Sequence, residues 1–258
     1  MNQTSIQRLH FVSSGTPEAD ASKAELETMY GAVPADQADV IVALGGDGMM
    51  LQCLHQYMNT GIPLYGMNCG SVGFLMNDYR PHGLLERLNT AQDTRIHPLI
   101  VEATDKNGEF FKAHALNEAS FLRQRHQAAK LRITIDGKVR MDELICDGIM
   151  VATPAGSTAY NLSAHGPILP IGSSLLALTP ISPFRPRRWR GALLPNHARV
   201  EIEVLEADKR PVSTSADHLE FRNVIKVLVY EDTSSQCVIM FDHDHGWDER
   251  ILAEMFKY

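Results

Sequence analysis

Cysteine is scarce in this chain, and the four present (Cys53, Cys69, Cys146 and Cys237) stand far apart. No two form a C-x-x-C pair, so neither a zinc or redox signature nor a disulfide framework is expected. Long apolar runs are also missing, and none approaches the length of a membrane span. The first residues, MNQTSIQRLHFVSS, lack the basic start and apolar run of a secretory leader, so a cytoplasmic location and no membrane partner are expected. Positive charge is in short supply. Lys and Arg number 24 against 31 Asp and Glu, a formal net charge of -7. That balance argues against holding a polyanion over a broad surface, so no nucleic-acid partner is expected, although a local anion pocket remains allowed. Two nucleotide fingerprints are absent as well. The only Gly-Lys pair, Gly137-Lys138, is followed by Val139, which excludes a P-loop, and no G-x-G-x-x-G occurs.

The remaining composition is that of a globular protein. Its 258 residues are 44% hydrophobic and 21% charged, enough for one large domain or two small ones. The first third alternates between strand and helix. Arg8–Val12 reads as a strand, and Thr16-Pro17-Glu18 opens a helix that runs to about Tyr30, with Gly31 as its stop. Asp39–Leu44 (DVIVAL) is a buried-strand run that ends in Gly45-Gly46-Asp47-Gly48, and a helical pattern follows. Ile62–Met67 is a further strand, and Leu84–Leu88 is helical. This alternation predicts a parallel sheet flanked by helices. From about Ile96 the pattern changes to short alternating segments with turn signals at Lys106-Asn107-Gly108 and Asp136-Gly137-Lys138, as in an all-β domain. Trp247–Phe256 reads as a short amphipathic helix. The division expected is 1–97, 98–244 and 245–258.

Three segments carry candidate chemistry. Gly45-Gly46-Asp47-Gly48 lies where a buried strand meets a helix. Glycines there let a phosphate approach the backbone, the helix start offers free N–H groups, and Asp47 adds a proton acceptor or metal anchor. A tight turn capped by Asp47 is the competing explanation. Asp147-Gly148 begins an apolar strand that ends in Thr153-Pro154-Ala155-Gly156-Ser157-Thr158-Ala159-Tyr160-Asn161-Leu162-Ser163. Its hydroxyls, the Tyr160 ring and the small Ala155 and Ala159 suit a flat polar ligand, although Ser and Thr also cap helices. Asn117-Glu118 follows a strand-like run and offers both acceptors and donors to ribose hydroxyls or a purine edge. Alone it is a weak signal, and a solvated turn is the default reading.

Together these segments resemble the NAD kinase family. The similarity extends to Asn68-Cys69-Gly70-Ser71-Val72-Gly73-Phe74-Leu75, Ile181-Ser182-Pro183-Phe184 and Ser215-Ala216-Asp217-His218, in family order over most of the chain. GGDG is shared with lipid kinases; the long TPAGSTAY segment is specific. The resemblance implies an N-terminal α/β parallel-sheet domain, a C-terminal all-β sandwich domain, and a C-terminal helix that returns to the first domain. It implies NAD as acceptor, an ATP-type donor, a divalent metal such as Mg²⁺, transfer to the adenosine ribose 2′-hydroxyl to give NADP, and a homo-oligomer (dimer or tetramer). Residue by residue, Asp47 falls on the catalytic acid and Gly48 on its neighbouring nucleotide contact, with Gly45 and Gly46 in the donor loop. Asn117, Glu118, Asp147, Ala155, Thr158, Ala159, Tyr160, Asn161, Leu162 and Ser163 fall on the NAD site. Leu51, Phe74, Asp217 and His218 take lesser parts. No metal ligand is assigned. Met49, Cys69, Ile145 and His165 depart from the common pattern, Ile145 standing where many members carry Arg.

Two further segments stand outside these motifs. Arg185, Arg187, Arg188 and Arg190 crowd FRPRRWR, as a phosphate contact, a subunit interface or a solvated loop. Asp242-His243-Asp244-His245 reads as a polar linker more readily than as a metal cluster, since adjacent residues rarely converge on one ion. Cys69 has no visible activating partner. A kinase for a lipid or sugar acceptor, and a non-catalytic NAD or NADP sensor, are the competing functions.

Overall fold

The computed structural model describes residues 5–70, 73–243, 251–252 and 256. The chain divides into two compact units, Met1–Ile96 with Ser235–Tyr258, and His97–Ser234.

The first unit is the expected α/β arrangement. Strands Leu9–Ser13 (β1), Val40–Gly45 (β2) and Leu64–Asn68 (β3) pair in parallel, in that order. Helix Pro17–Tyr30 (α1) begins as the sequence predicts. Thr16 Oγ1 accepts from the Ala19 N–H at 3.3 Å, Pro17 follows the cap, and Gly31 closes the helix. All six residues of β2 are buried. Val40, Val42 and Leu44 pack in one cluster with Ala19 and Leu26 of α1. Ile41 and Ala43 point to the other face, where helix Asp47–Gln56 (α2) packs on β2 and β3. This two-sided burial is why the strand reads as a continuous apolar run. The unit continues through Asn77–Asp78 (β4), helix Leu84–Thr90 (α3) and Gln92–Ile96 (β5).

The sheet is finished by a strand from much later in the chain. Cys237–Phe241 lies between β3 and β5, parallel to the first and antiparallel to the second. It barely pairs with β3, and the wholly buried Asn77 carboxamide spans the gap. Its Nδ2 donates to the Gly66 and Met240 carbonyls, and its Oδ1 accepts from Asp242 N–H. Asp242 itself accepts from Tyr65 Oη at 2.6 Å and from Arg87. The expected division at 98–244 is therefore corrected. Residues 235–243 leave the β domain, because the apolar pattern of Cys237–Phe241 completes the first sheet. The expected C-terminal helix lies mostly outside the described residues. Ile251 and Leu252 are helical, and Ile251 is buried.

The second unit is antiparallel throughout. In chain order its strands are Leu99–Asp105 (β6), Phe110–Ala115 (β7), Glu118–Arg123 (β8), Ala129–Ile135 (β9), Lys138–Cys146 (β10), Gly148–Ala152 (β11), Leu175–Ile181 (β12), Ala192–Pro195 (β13), Val200–Val204 (β14), Val212–Ala216 (β15) and Leu219–Glu231 (β16). A short helix, Tyr160–Ser163 (α4), separates β11 from β12. Their order is β10-β9-β14-β16-β15-β8-β11-β12-β13, with β6 on β16 and β7 on β6. Strand β16 changes partners along its length. Its first part pairs with β15; after a register shift between Val224 and Lys226 it pairs with β6 and β14. A strand that switches neighbours at an irregularity forms the corner of a sandwich. One core draws Phe121 and Val151 from one part of the sheet and Ile133, Ile202 and Val227 from the other. Among the described residues, no helix is long and apolar enough to cross a membrane.

Candidate functional site

Each unit contains one constellation of the residues singled out above. In the first, β2 ends at Gly45, Gly46 caps α2, and Asp47 opens the helix. Both oxygens of Asp47 are engaged. Oδ2 accepts from Phe74 N–H at 2.8 Å and Oδ1 from Leu75 N–H at 2.9 Å. The turn beyond β3 thus holds the carboxylate in one orientation. Gly73 permits this approach, because a Cβ there would stand 2.6 Å from Asp47 Oδ1. The Gly73-Phe74-Leu75 segment therefore acts through its backbone. Gly48 is exposed, and Leu51 and Phe74 are half-buried. Cys69 lies on the same turn, with its amide donating to Gly45 O. Burial pushes its thiol above the ordinary value, as for an unactivated cysteine.

In the second unit three chain segments meet at one edge of the sheet. Strand β8 starts there, while its neighbours β11 and β15 end there. Asp217, just past β15, accepts from the N–H groups of Leu116, Asn117 and Glu118 at 2.7, 2.9 and 3.2 Å. That triple bond fixes the turn carrying Asn117-Glu118. Thr153, at the exit of β11, clamps the same turn. Its N–H donates to Asn117 O, and its hydroxyl donates to Leu116 O while accepting from Gly156 N–H. Gly156 is packed so close to Asn117 that a Cβ would lie 2.1 Å from the Asn117 carbonyl oxygen.

Glu118 is the unusual group. Its Oε2 is buried with no hydrogen-bond partner. Burial, and then the Asp217 charge, raise its carboxyl to about 7 from an ordinary 4.5. A half-buried carboxylate with one unpartnered buried oxygen, held in a rigid turn, is suited to a ligand that supplies hydroxyl donors.

The loop after β11 separates into inner and outer residues. Asn161 is wholly buried and saturated. It donates to Ser157 O and Pro167 O, and its Oδ1 accepts from Thr179 Oγ1 at 2.6 Å. Ser157 is likewise internal, donating to Pro154 O and accepting from Leu169 N–H. Thr158 and Ala155 are buried, Ala159 and Leu162 half-buried, and Tyr160, Ser163 and His218 exposed. Asn161 thus shapes the loop, and the outer residues face solvent.

Asp147 stands apart. It precedes β11, whereas the loop follows it, and its carboxylate binds Arg123 Nε at 2.5 Å. Sequence reasoning passed over Thr153 and the Phe74 and Leu75 amides. Thr153 had a signal, a buried hydroxyl at a strand exit; backbone donors leave none. Among the described residues, no group of three or more His, Cys, Asp or Glu is placed to hold a metal. Residues 244–245 of the Asp242–His245 run lie outside the described residues.

Family models match both parts of the chain. The ATP-NAD kinase N-terminal domain family matches residues 2–93, and the ATP-NAD kinase C-terminal domain family matches residues 116–240. The NAD kinase of Brucella suis biovar 1 (strain 1330) is 58% identical over 258 residues, covering 100% of both chains. That of Rhizobium meliloti (strain 1021) is 58% identical over 249 residues, 96% of this chain and 97% of its own. Among solved structures, yeast NADH kinase complexed with NADH superposes with a TM-score of 0.85 at 21% identity, covering 99% of this chain and 90% of that one. An NAD kinase from Archaeoglobus fulgidus in complex with ATP gives 0.76 at 23%, covering 96% and 97%. These two share the fold. With both family domains matched and full-length relatives at this identity, the chain belongs to the NAD kinase family.

Proposed function

We propose that this protein phosphorylates NAD to NADP with ATP, at the 2′-hydroxyl of the adenosine ribose. A bond forms between that oxygen and the terminal phosphorus of ATP, the bond to the β-phosphate oxygen breaks, ADP leaves, and the hydroxyl proton passes to Asp47. The observation that carries this reading is the Asp47 carboxylate, fixed at a strand-to-helix junction by the Phe74 and Leu75 amides. A carboxylate with a reference pKa of about 4 is a poor base for a sugar hydroxyl. Phosphoryl transfer, however, has a loose transition state in which positioning and charge stabilisation supply most of the acceleration. Asp47 therefore orients the hydroxyl and accepts its proton late. Asn117, Glu118 and the outer residues of the loop after β11 bind the dinucleotide, and Asp217 and Asn161 hold those elements in shape.

A divalent cation, Mg²⁺ by expectation, is part of this reading. Its fit follows from the donor set. Both Asp47 oxygens already accept amide bonds, and the described residues form no metal cage. An ion arriving with the donor would neutralise the charge of its phosphates, and Asp47 would be the nearest carboxylate of the first constellation to it. A homo-oligomer and a cytoplasmic location belong to the same reading. Asp147 and the loop lie at opposite ends of a five-residue strand, a span of about 16 Å at roughly 3.3 Å per residue.

The test is an assay with NAD, ATP and Mg²⁺ that detects NADP. NAD binding without NADP formation identifies a sensor instead. Asp47→Asn should keep NAD affinity within a few-fold and lower turnover by roughly 10²–10⁴. Near-normal turnover in that variant overturns the assignment.

A further inference from the structure

The arginine run is built into the second unit. Phe184 N–H and Arg185 N–H donate to Ile145 O, and Ile145 N–H donates to Arg185 O at 2.8 Å. This bridge ties the start of the loop to the end of β10. Trp189 packs partly against the sandwich core and ties down its far side. At and between these anchors, and just past Trp189, Arg185, Arg187, Arg188 and Arg190 are all exposed. Among the described residues none of the four joins an ion pair; Arg185 and Arg187 instead lie over the exposed Phe184 ring. In a chain of net charge -7, four exposed guanidiniums on one anchored loop are a local reversal of sign.

A cavity of about 560 Å³ opens beside the loop, lined among others by His165, Ser182, Pro183, Arg188, Trp189 and Arg190. That volume is in the range of small-molecule sites. Its lining combines two fork-shaped donors, a serine hydroxyl, an imidazole and an indole. Arginine pairs bind adjacent phosphoryl groups through parallel N–H bonds, and an indole offers a face for a base. Neither Asp47 nor Glu118 contributes to this lining. A second copy of the same loop is a poor occupant, because it would bring like charges together.

We propose that this pocket is a second anion site, for a small molecule bearing two or more linked phosphoryl groups. Such a ligand is either an inorganic oligophosphate or the phosphate tail of a nucleotide. The proposal rests on the second unit alone, and its binding measurement does not depend on the kinase reading.

Trp189 reports directly on the pocket, and Trp247→Phe leaves it as the sole tryptophan. In that full-length background, emission is followed while tripolyphosphate or ADP is titrated at constant ionic strength. A saturable change is expected, weakened at least ten-fold by Arg188→Gln with Arg190→Gln, while NADP formation stays near the parent rate. Arg188→Lys with Arg190→Lys keeps charge but loses the fork, and should recover only part of the affinity. Tripolyphosphate binding as tightly as ADP identifies a bare oligophosphate; tighter ADP identifies a nucleotide whose base uses Trp189. The proposal is overturned by a response no larger than sodium chloride gives, or by one that the arginine substitutions leave unchanged. It is also overturned if turnover falls in parallel with binding, which would place these arginines in the donor site.

Discussion

Replacing Glu118 by Gln tests whether burial and the Asp217 charge penalise its ionised carboxylate. The substitution keeps the shape of the side chain and removes the charge. In the folded protein the carboxyl titrates at about 7, against an ordinary 4.5, because burial and Asp217 penalise its ionised form. A rise of that size corresponds to roughly 3 kcal/mol, since each pKa unit is worth about 1.36 kcal/mol. The sign follows from linkage. Below pH 4.5 the group is neutral whether the chain is folded or not, and it costs nothing. Between 4.5 and 7 the unfolded chain ionises while the folded one does not, so wild-type stability falls. Above 7 the loss is complete. Glu118→Gln escapes this loss. Thermal or urea unfolding of both proteins from pH 4.5 to 8.5 should show stabilities converging at the acid end. The variant's advantage should grow to about 1–3 kcal/mol by pH 8. NAD affinity of the wild type should rise over the same interval, as hydroxyl donors find an ionised acceptor. A stability difference that does not change with pH, or one that favours wild type more as pH rises, refutes the account of Glu118.

Gly73→Ala places a methyl group 2.6 Å from Asp47 Oδ1 and must displace the carboxylate. Turnover in the NADP assay should fall at least ten-fold with little change in NAD affinity by calorimetry. Asp217→Asn removes the charge that accepts three amide bonds. It should cost about 1–3 kcal/mol in chemical denaturation and move the Glu118 titration back toward acid. Asn161→Ala leaves the Thr179 hydroxyl and two carbonyls unsatisfied in a fully buried place. A loss of roughly 2–4 kcal/mol is expected in urea unfolding, together with weaker NAD binding, because the loop shape depends on this side chain.

The sequence was most legible where local chemistry and tertiary burial agree. Thr16, Pro17 and Gly31 mark α1 because capping is a local matter. DVIVAL announces a central strand because both of its faces are covered. Gln92–Ile96 was passed over, since QDTRI has four of its five residues exposed or half-buried and shows no apolar alternation. Cys237–Phe241 is visibly strand-like, yet nothing local says which sheet receives it. That choice depends on the Asn77 and Asp242 contacts made across the fold. At the site, side-chain motifs pointed to Asp47, Asn117-Glu118 and the loop after β11. The anchors acting through peptide groups, Phe74 N–H, Leu75 N–H and the Leu116 carbonyl, have no residue signature. Asn161 carries a polar side chain in a polar motif, and only its burial distinguishes an internal brace from an outward contact.

The placement of Cys237–Phe241 has a consequence for biosynthesis. The first sheet lacks its penultimate strand until 241 residues have been made, by which time the intervening β unit has had its entire sequence available. On the ribosome, β1 to β5 must wait with an open slot whose walls are unpaired edges, prone to capture by other chains. Maturation of the amino-terminal third is thus timed by the carboxy-terminal tail. Chains stopped short of that tail should emerge with a finished sandwich attached to an unfinished sheet.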